Sequence, residues 1–373
     1  MSEWQNSDAF YMTRAIELAC RAWGQTHPNP MVGALIVEEY KVLAEGWHKG
    51  AGQAHAEIEA LGALGRQPGV NATLYVTLEP CSTTGRTGAC TDAIIASGIK
   101  RVVVGAVDPN PAHAGRGLGI LREAGIEVVS GLMEEDCADL NLIFNHWITT
   151  GAPLLAAKLA LTLDGKFAAS SGHSQWVTGE TARANVMQWR RYFPAIGVGA
   201  NTVLQDDPSL TSRIDGAVFC PIRFVFDRYL KTLAAKNLPK LYTDKDKERT
   251  VVLCLKSADA ARRARADKLG LEVWELPEVH GHLDWSAFRD RCAAQAICGV
   301  YIECGPSLAT EVIESGKVDY FFVYQAPKFM ADAASRGLGS ERKTRAMSDA
   351  FQLIEVRHEV FAEDILTRGR FVK

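Results

Sequence analysis

The stretch "AHAEIEALGAL", residues 54–64, sets a histidine and a glutamate two positions apart at the head of an apolar, helix-like run. Acidic residues are favoured in the first turn of a helix, where they meet the positive end of its dipole. His55-Ala56-Glu57 therefore reads either as an ordinary polar first turn or as half of a metal site, and the rest of the chain must decide. Downstream, "LEPCSTTGRTGACTDAIIASG" (78–98) brackets a Gly-rich loop with Cys81 and Cys90. One histidine and two cysteines are three ligands for a tetrahedral zinc whose fourth position stays open for water. Metal coordination brings the pKa of that water near neutrality. A glutamate beside the ligands but not among them supplies the proton shuttle that hydrolytic deamination of a nucleobase needs. The cysteines also flank the start of a helix, whose positive end favours thiolate. Cys20 or His48 could close a purely structural site, but the open site accounts for Glu57 as well.

With 373 residues the chain exceeds one ordinary core, and two domains are expected. A net charge of -3 provides no basic footprint, so nucleic acid is not an expected partner, whereas a phosphorylated small molecule needs only a few local arginines. No apolar run reaches the roughly 18 residues of a membrane span. The start "MSEWQNSDAFYMTRAIELAC" is acidic and amphipathic, unlike a signal peptide. Nine scattered cysteines fit a reducing cytoplasm better than a disulfide framework.

Periodicity predicts a helix over 8–22 capped by Ser7 or Asp8, then strands at 32–37 and 42–47 after "HPNP". A helix at 55–64, a strand over "ATLYVTLEP" (72–80), a helix ending near Gly98 and a strand over "RVVVGAVDP" (101–109) follow. A short helix (118–124), a strand (126–130) and a longer helix (133–148) complete an alternating α/β unit. Gly151 and Pro153 punctuate the chain there, so the domains are placed at 1–150 and 151–373. The second alternates again: helix 180–192, strands 195–199, 222–226 and 250–255, helix 258–268, strand 271–275, helix 285–296, strand 299–303, helix 306–315 and strand 319–325. The halves read as two different α/β domains.

Residues 8–130 resemble the cytidine-deaminase-like fold, a three-layer α/β/α domain. Eight residues separate the two cysteines here, whereas the shorter deaminases space theirs as C-x-x-C. "HPNPMVGALIV" (27–37), "EGWHKGAGQAHAE" (45–57) and "EPCSTTGRTGAC" (79–90) together resemble the deaminase half of the bifunctional riboflavin-biosynthesis deaminase/reductase family. The resemblance implies that Asn29 and His48 line the substrate pocket, that His55, Cys81 and Cys90 hold zinc, and that Glu57 is catalytic. "VDPNPAHAGRGLG" (107–119) resembles the family's loop after the fourth strand, departing from it after the second proline, and His113 is expected to be solvated. Ala34 stands where a non-ligand cysteine is common.

"AAKLALTLDGKFAASSGHSQWVTG" (156–179), "VGANTVLQDDPSLTSR" (198–213) and "YIECGPSLATEVIESG" (301–316) resemble the family's reductase domain, which has a dihydrofolate-reductase-like α/β fold. The resemblance implies NADPH as cofactor and a ribose 5-phosphate on the pyrimidine substrate. It places Lys158, Ser174, Arg190, Leu210, Arg213 and Glu303 at substrate positions, and Ala160, Trp176, Thr202, Asp206, Gly305, Pro306, Ser307 and Leu308 at the cofactor. The physical reading agrees, since a strand running through Gly305-Pro306-Ser307 into a helix can offer backbone N–H groups to a diphosphate. No full G-x-G-x-x-G occurs, so a Rossmann fold is not supported. Two stretches depart from the family pattern: Cys304-Gly305 replaces a glycine pair, and "APKFMADAASRGLG" (326–339) replaces a more apolar segment. The whole implies a cytoplasmic, homo-oligomeric enzyme that deaminates a phosphorylated diaminopyrimidine and then reduces its ribosyl chain. A zinc deaminase with an inactive or regulatory second domain is the alternative.

Overall fold

Ser7 is extended, and its hydroxyl accepts the Phe10 amide at 3.3 Å, which starts α1 (Asp8–Cys20). The computed structural model describes residues 7–83, 88–111, 113–339 and 342–372. The chain divides into two compact units, Met1–Gly151 and Ala152–Lys373. No helix among the described residues is long and apolar enough to cross a membrane.

In the first unit β1 (Gly33–Glu38), β2 (Lys41–Trp47), β3 (Thr73–Leu78), β4 (Arg101–Ala106) and β5 (Glu127–Ser130) form one sheet in the order β2-β1-β3-β4-β5. β1 is antiparallel to both its neighbours, and the remaining pairs are parallel. β3 is wholly buried and β4 nearly so, as apolar runs in a sheet covered on both faces must be. Two glycines show how the covers approach. A Cβ at Gly33 would come within 2.0 Å of the Ala15 carbonyl oxygen, and one at Gly46 within 2.4 Å of that of Ala56. Gly46 pairs with Ala34, so the two glycines present opposite faces. α1 therefore covers one face and α2 (Ala56–Leu64) the other. α3 (Cys90–Ser97) and α4 (Arg116–Glu123) join the α2 layer, while α5 (Glu134–Asp139) closes on Gly105 through Cys137. The result is a three-layer α/β/α unit.

The single helix expected over 133–148 is two, α5 and α6 (Leu142–Thr150), broken at Asn141. The Asn141 side chain makes both bonds of a strand-like pair with Met31, accepting its N–H at 2.7 Å and donating to its C=O at 3.0 Å. Holding the turn that contains Asn29 outweighs helical continuity.

The second unit is built on a nine-stranded sheet. In chain order its elements are β6 (Leu154–Thr162), α7 (Glu180–Tyr192), β7 (Ala195–Gly199), α8 (Ala200–Asp206), the hairpin β8 (Ser212–Ile214) and β9 (Ala217–Phe219), β10 (Ile222–Phe226) and β11 (Thr250–Leu255). Then come α9 (Ala260–Leu269), β12 (Glu272–Leu276), the small hairpin β13 (Glu278–Val279) and β14 (His282–Leu283), α10 (Trp285–Ala294), β15 (Gly299–Glu303), α11 (Pro306–Ser315), β16 (Tyr320–Ala326), β17 (Gln352–Phe361) and β18 (Asp364–Val372). The sheet order is β12-β11-β10-β7-β15-β6-β16-β18-β17, parallel as far as β16 and antiparallel beyond. Ligands in such sheets bind outside the C-terminal strand ends, where β15, β7 and β6 present Glu303, Gly199 and Lys158 onward.

Candidate functional site

His55 is the residue before α2 and uses no side-chain atom to cap it, which leaves its ring free. The Nδ1 atom lies 3.2 Å from the Cys90 Sγ and 3.5 Å from the Cys81 Sγ. The donor atoms of His55, Cys81 and Cys90 all fall within 4.8 Å of one another. Cys81 follows β3 by three residues and Cys90 opens α3, whose first N–H points back at the Cys81 Sγ at 3.4 Å. The bracketed Gly-rich loop at 84–87 lies outside the described residues.

The electrostatics match a cation site. A hydrogen bond from Cys90, then one from His55, holds the Cys81 thiol down at about 4 despite burial. Cys90, as the donor of that bond, is pushed well up. Two thiols and an imidazole gathered in this way are a donor set that suits zinc. Glu57, 3 % exposed, has its carboxyl raised above the ordinary carboxylate value by burial. A buried acid raised toward neutrality is suited to moving protons.

Asn29 and His48 stand together beside this cluster. The His48 Nδ1 is 3.0 Å from the Ala54 carbonyl oxygen, so that nitrogen carries the proton and donates. Its Nε2 then accepts from the Asn29 amide at 3.2 Å. Burial lowers the basicity of His48 and keeps it neutral. With both ring nitrogens engaged, His48 does not complete the ligand set, and Cys20 is exposed on α1, on the opposite face of the sheet from α2. Among the described residues the cluster has three ligands. His113, expected to be solvated, is half-buried.

In the second unit, register brings the polar residues together. β15 and β16 flank β6, so Lys158 lies opposite both Glu303 and Phe322. Glu303 receives the Arg190 guanidinium in a two-pronged ion pair, at 2.6 and 2.9 Å, and Arg190 also donates to the Thr211 carbonyl at 3.1 Å. Burial works to raise the Glu303 carboxyl, but Arg190 holds it below the ordinary value. Burial lowers the Lys158 ammonium while Glu303 works against the shift. Leu210 is buried at a positive φ of 52° in the turn before β8. Arg213 is exposed on β8 and Ser174 half-buried in its loop. Among the described residues, no hydrogen bond or ion pair links Arg213, Ser174 or Trp176 to the Lys158 cluster.

The expected cofactor positions gather around two helix starts. Gly305 precedes α11 with Pro306 at its first turn and no side-chain cap, leaving the first N–H groups open. Thr202 Oγ1 would lie 3.7 Å from a Cβ on Gly305, and Leu308 packs beside Gly199. Ser307 is exposed, Ala160 half-buried, and Asp206 exposed at the end of α8, its carboxyl raised by partial burial. Trp176 is 64 % exposed beneath the Arg183 guanidinium at 4.4 Å. A cleft of 1330 Å³ runs along the outer face of α11, lined by Pro306, Ser307, Thr310, Glu311, Trp285 and Arg336. Cys304, in place of a glycine, is half-buried with its thiol pushed up by burial.

Three supporting residues are not among the expected site residues: Glu79, Asn141 and Lys328. The Lys328 ammonium binds the carbonyls of Trp176 and Val177 at 2.9 and 2.8 Å, while Asp164 accepts the amides of Met330 and Ala331. The divergent 326–339 segment thereby straps the loop that carries Ser174 and Trp176.

Residues 5–106 match the model of the cytidine and deoxycytidylate deaminase zinc-binding region, and residues 153–367 match the RibD C-terminal domain. The riboflavin biosynthesis protein RibD of Actinobacillus pleuropneumoniae is 39 % identical over 360 residues, spanning 96 % of this chain and 94 % of that protein. Its Escherichia coli counterpart is 38 % identical, spanning 94 % and 96 %. Among solved structures, Acinetobacter baumannii RibD superposes with a TM-score of 0.75 at 34 % identity over 99 % of both chains. A deaminase/reductase from Thermotoga maritima reaches 0.76 at 32 % identity, over 97 % of this chain and 98 % of that one. Both expected fold families are borne out.

Proposed function

The chain belongs to the RibD family of riboflavin-biosynthesis enzymes, a zinc-binding deaminase joined to an NADPH-using reductase, and from that premise we propose how its residues divide the work. Residues 1–150 deaminate and 151–373 reduce. The substrate of the first half is 2,5-diamino-6-(ribosylamino)pyrimidinone 5'-phosphate; water adds to the amino-bearing ring carbon and ammonia leaves. His55, Cys81 and Cys90 hold the zinc, which when bound supplies the Lewis acidity that makes water nucleophilic near neutral pH. Glu57 takes the two water protons in turn, passing the first to the ring nitrogen as water adds and the second to the amino group, which leaves as ammonia. Asn29, oriented by His48, holds the pyrimidine.

In the second half NADPH, when bound, would supply the hydride that reduces C1' of the ring-opened ribosyl imine, whose nitrogen takes a proton from solvent. The protein's part is placement. Lys158, Arg190 and Glu303 form the polar floor with Ser174 and Leu210 at its edge, and Arg213 takes the 5'-phosphate. Thr202, Asp206, Trp176, Ala160 and Gly305 through Leu308 hold the cofactor. The enzyme works in the cytoplasm as a homo-oligomer.

One observation carries this reading: two thiols and an imidazole converge within 4.8 Å beside a buried glutamate. Pure protein is incubated with the diaminopyrimidine phosphate, with and without NADPH, while ammonia, NADPH absorbance and zinc content are followed. Ammonia release that does not need NADPH, then NADPH oxidation, is expected. Ammonia without NADPH oxidation points to a deaminase with an inactive second half; full zinc occupancy in Cys81→Ser overturns the ligand set.

A further inference from the structure

Glu79 directly follows β3, two residues before Cys81, and is 5 % exposed. A buried carboxylate costs several kcal/mol unless its oxygens are fully bonded. Here four backbone amides, from a segment about 30 to 40 residues away, converge on the two oxygens. Oε2 accepts from Asp108 at 3.1 Å and Gly115 at 2.9 Å, and Oε1 from Gly117 at 2.8 Å and Leu118 at 3.3 Å. The same segment closes on the next residue of the chain: a Cβ at Gly117 would stand 2.2 Å from the Pro80 carbonyl oxygen.

The join lies at the metal cluster's edge of the sheet. β3 and β4 are parallel neighbours with Leu78 opposite Ala106, so Cys81 and Asp108 leave the same edge side by side. Burial raises the Asp108 carboxyl, and Cys81 is among the charges that push it further. The loop from Asp108 to Gly115 therefore borders the space beside the cluster, and it carries the polar residues Asp108, Asn110 and His113. Nothing in the Glu57 proton path uses Glu79.

We infer that Glu79 is a positioning residue of the deaminase site, whose carboxylate welds the Cys81 segment to the 108–118 loop and so fixes the wall against which substrate is held. The inference rests on the deaminase reading of this half. A carboxylate is required because all four partners are donors. An amide would turn its own N–H₂ against two of them while keeping the same shape. A solely stabilising carboxylate would lower the melting temperature when replaced and leave substrate affinity alone.

The test uses the full, zinc-loaded chain and its Glu79→Gln variant, with zinc per chain, deamination KM and kcat, and NADPH-dependent reduction all measured. The variant is expected to keep one zinc and full reductase activity, with KM for the diaminopyrimidine raised tenfold or more and kcat altered less than KM. Should it fail to fold, Gly117→Ala carries the same test, since its methyl group displaces the loop from Pro80 with Glu79 intact. An unchanged KM in the folded variant overturns the inference, as does loss of zinc in step with kcat, which would make Glu79 a support of the ligands instead. A wild-type enzyme that releases no ammonia overturns the deaminase reading and this inference with it; a wild type that does, beside a variant with unchanged KM, overturns the inference alone.

Discussion

The two halves assemble their polar centres by opposite means. In the first, His55, Glu57, Cys81 and Cys90 lie within 36 residues of one another and meet because α2 and α3 begin close together. In the second, Lys158, Arg190 and Glu303 span 146 positions and meet because β15 lies in register beside β6 and α7 delivers Arg190 across it. The first centre depends on the identity of a few atoms, the second on the alignment of a sheet. Substitutions should reflect this: chemistry alone should fail at the first centre, whereas packing and chemistry should fail together at the Lys158, Arg190 and Glu303 centre.

The largest effect is expected at Glu57. Glu57→Gln removes the shuttle without removing a ligand, so deamination should fall by about two to four orders of magnitude. Zinc content and reduction of pre-deaminated substrate should persist. A variant that deaminates at near the wild-type rate would break the comparison at its strongest point.

Arg190→Ala tests the other half. It strands Glu303 in a site where the pair's side chains are only 13 % and 16 % exposed. Losing one partner of such a pair costs about 3–5 kcal/mol. Thermal unfolding of the second unit should therefore shift together with loss of reduction. Lost reduction at unchanged stability would mean that this centre, too, depends on identity alone.

Arg213→Ala removes an exposed charge, so folding should not change. A charge-assisted phosphate contact is worth about 1.5–3 kcal/mol, or roughly a 10- to 150-fold loss in reduction efficiency. Asp206→Ala should weaken NADPH more than substrate. If Arg213→Ala weakens NADPH and spares the substrate, the pocket is divided wrongly.

The smallest effect belongs to Asp8→Asn. Asp8 ties α1 to β4 through Arg101 at 2.7 Å and accepts the Tyr75 hydroxyl at 2.7 Å. The Arg101 hydrogen bond holds the Asp8 carboxyl below its ordinary value. Its stabilisation is therefore full above the unfolded carboxylate value near 4 and is lost as pH falls through the lower folded value. Because the pair is partly exposed, about 0.2–1 kcal/mol is expected, and wild type and variant should converge in acid melts.

How far the fold could be read from the residues follows the same division. The strands at 195–199, 222–226, 250–255 and 299–303, and the helices at 180–192 and 306–315, have the expected bounds. Their apolar runs are buried and end at Gly, Pro or charged residues. The hairpin of β17 and β18 carries no such signal. β17 is largely exposed, and Glu355 sits at a φ of 52° where the ladder slips between Ile354 and Arg357, so its alternation is broken in the sequence. The helix break at Asn141 was equally hidden, because its cause is Met31, 110 residues earlier. At the site, thiols, imidazole and carboxylate announce metal chemistry by type. Lys158, Arg190 and Glu303 are residue types found on any surface, and only the resemblance singled them out. Glu79 left one signal, an acid in an otherwise apolar strand run, and its four partners lie in a loop that no local pattern connects to it.

The double register of β6 also bears on how this chain can change over generations. Lys158 is held opposite Glu303 on one side and Phe322 on the other. Side chains alternate faces along a strand, so inserting or deleting one residue ahead of Lys158 within β6 would send it through the sheet to the opposite layer. Loops between the strands can lengthen at little thermodynamic expense. Lineages of this reductase half are thus expected to drift in loop length, while a single-codon indel in β6 ahead of Lys158 dismantles the pocket.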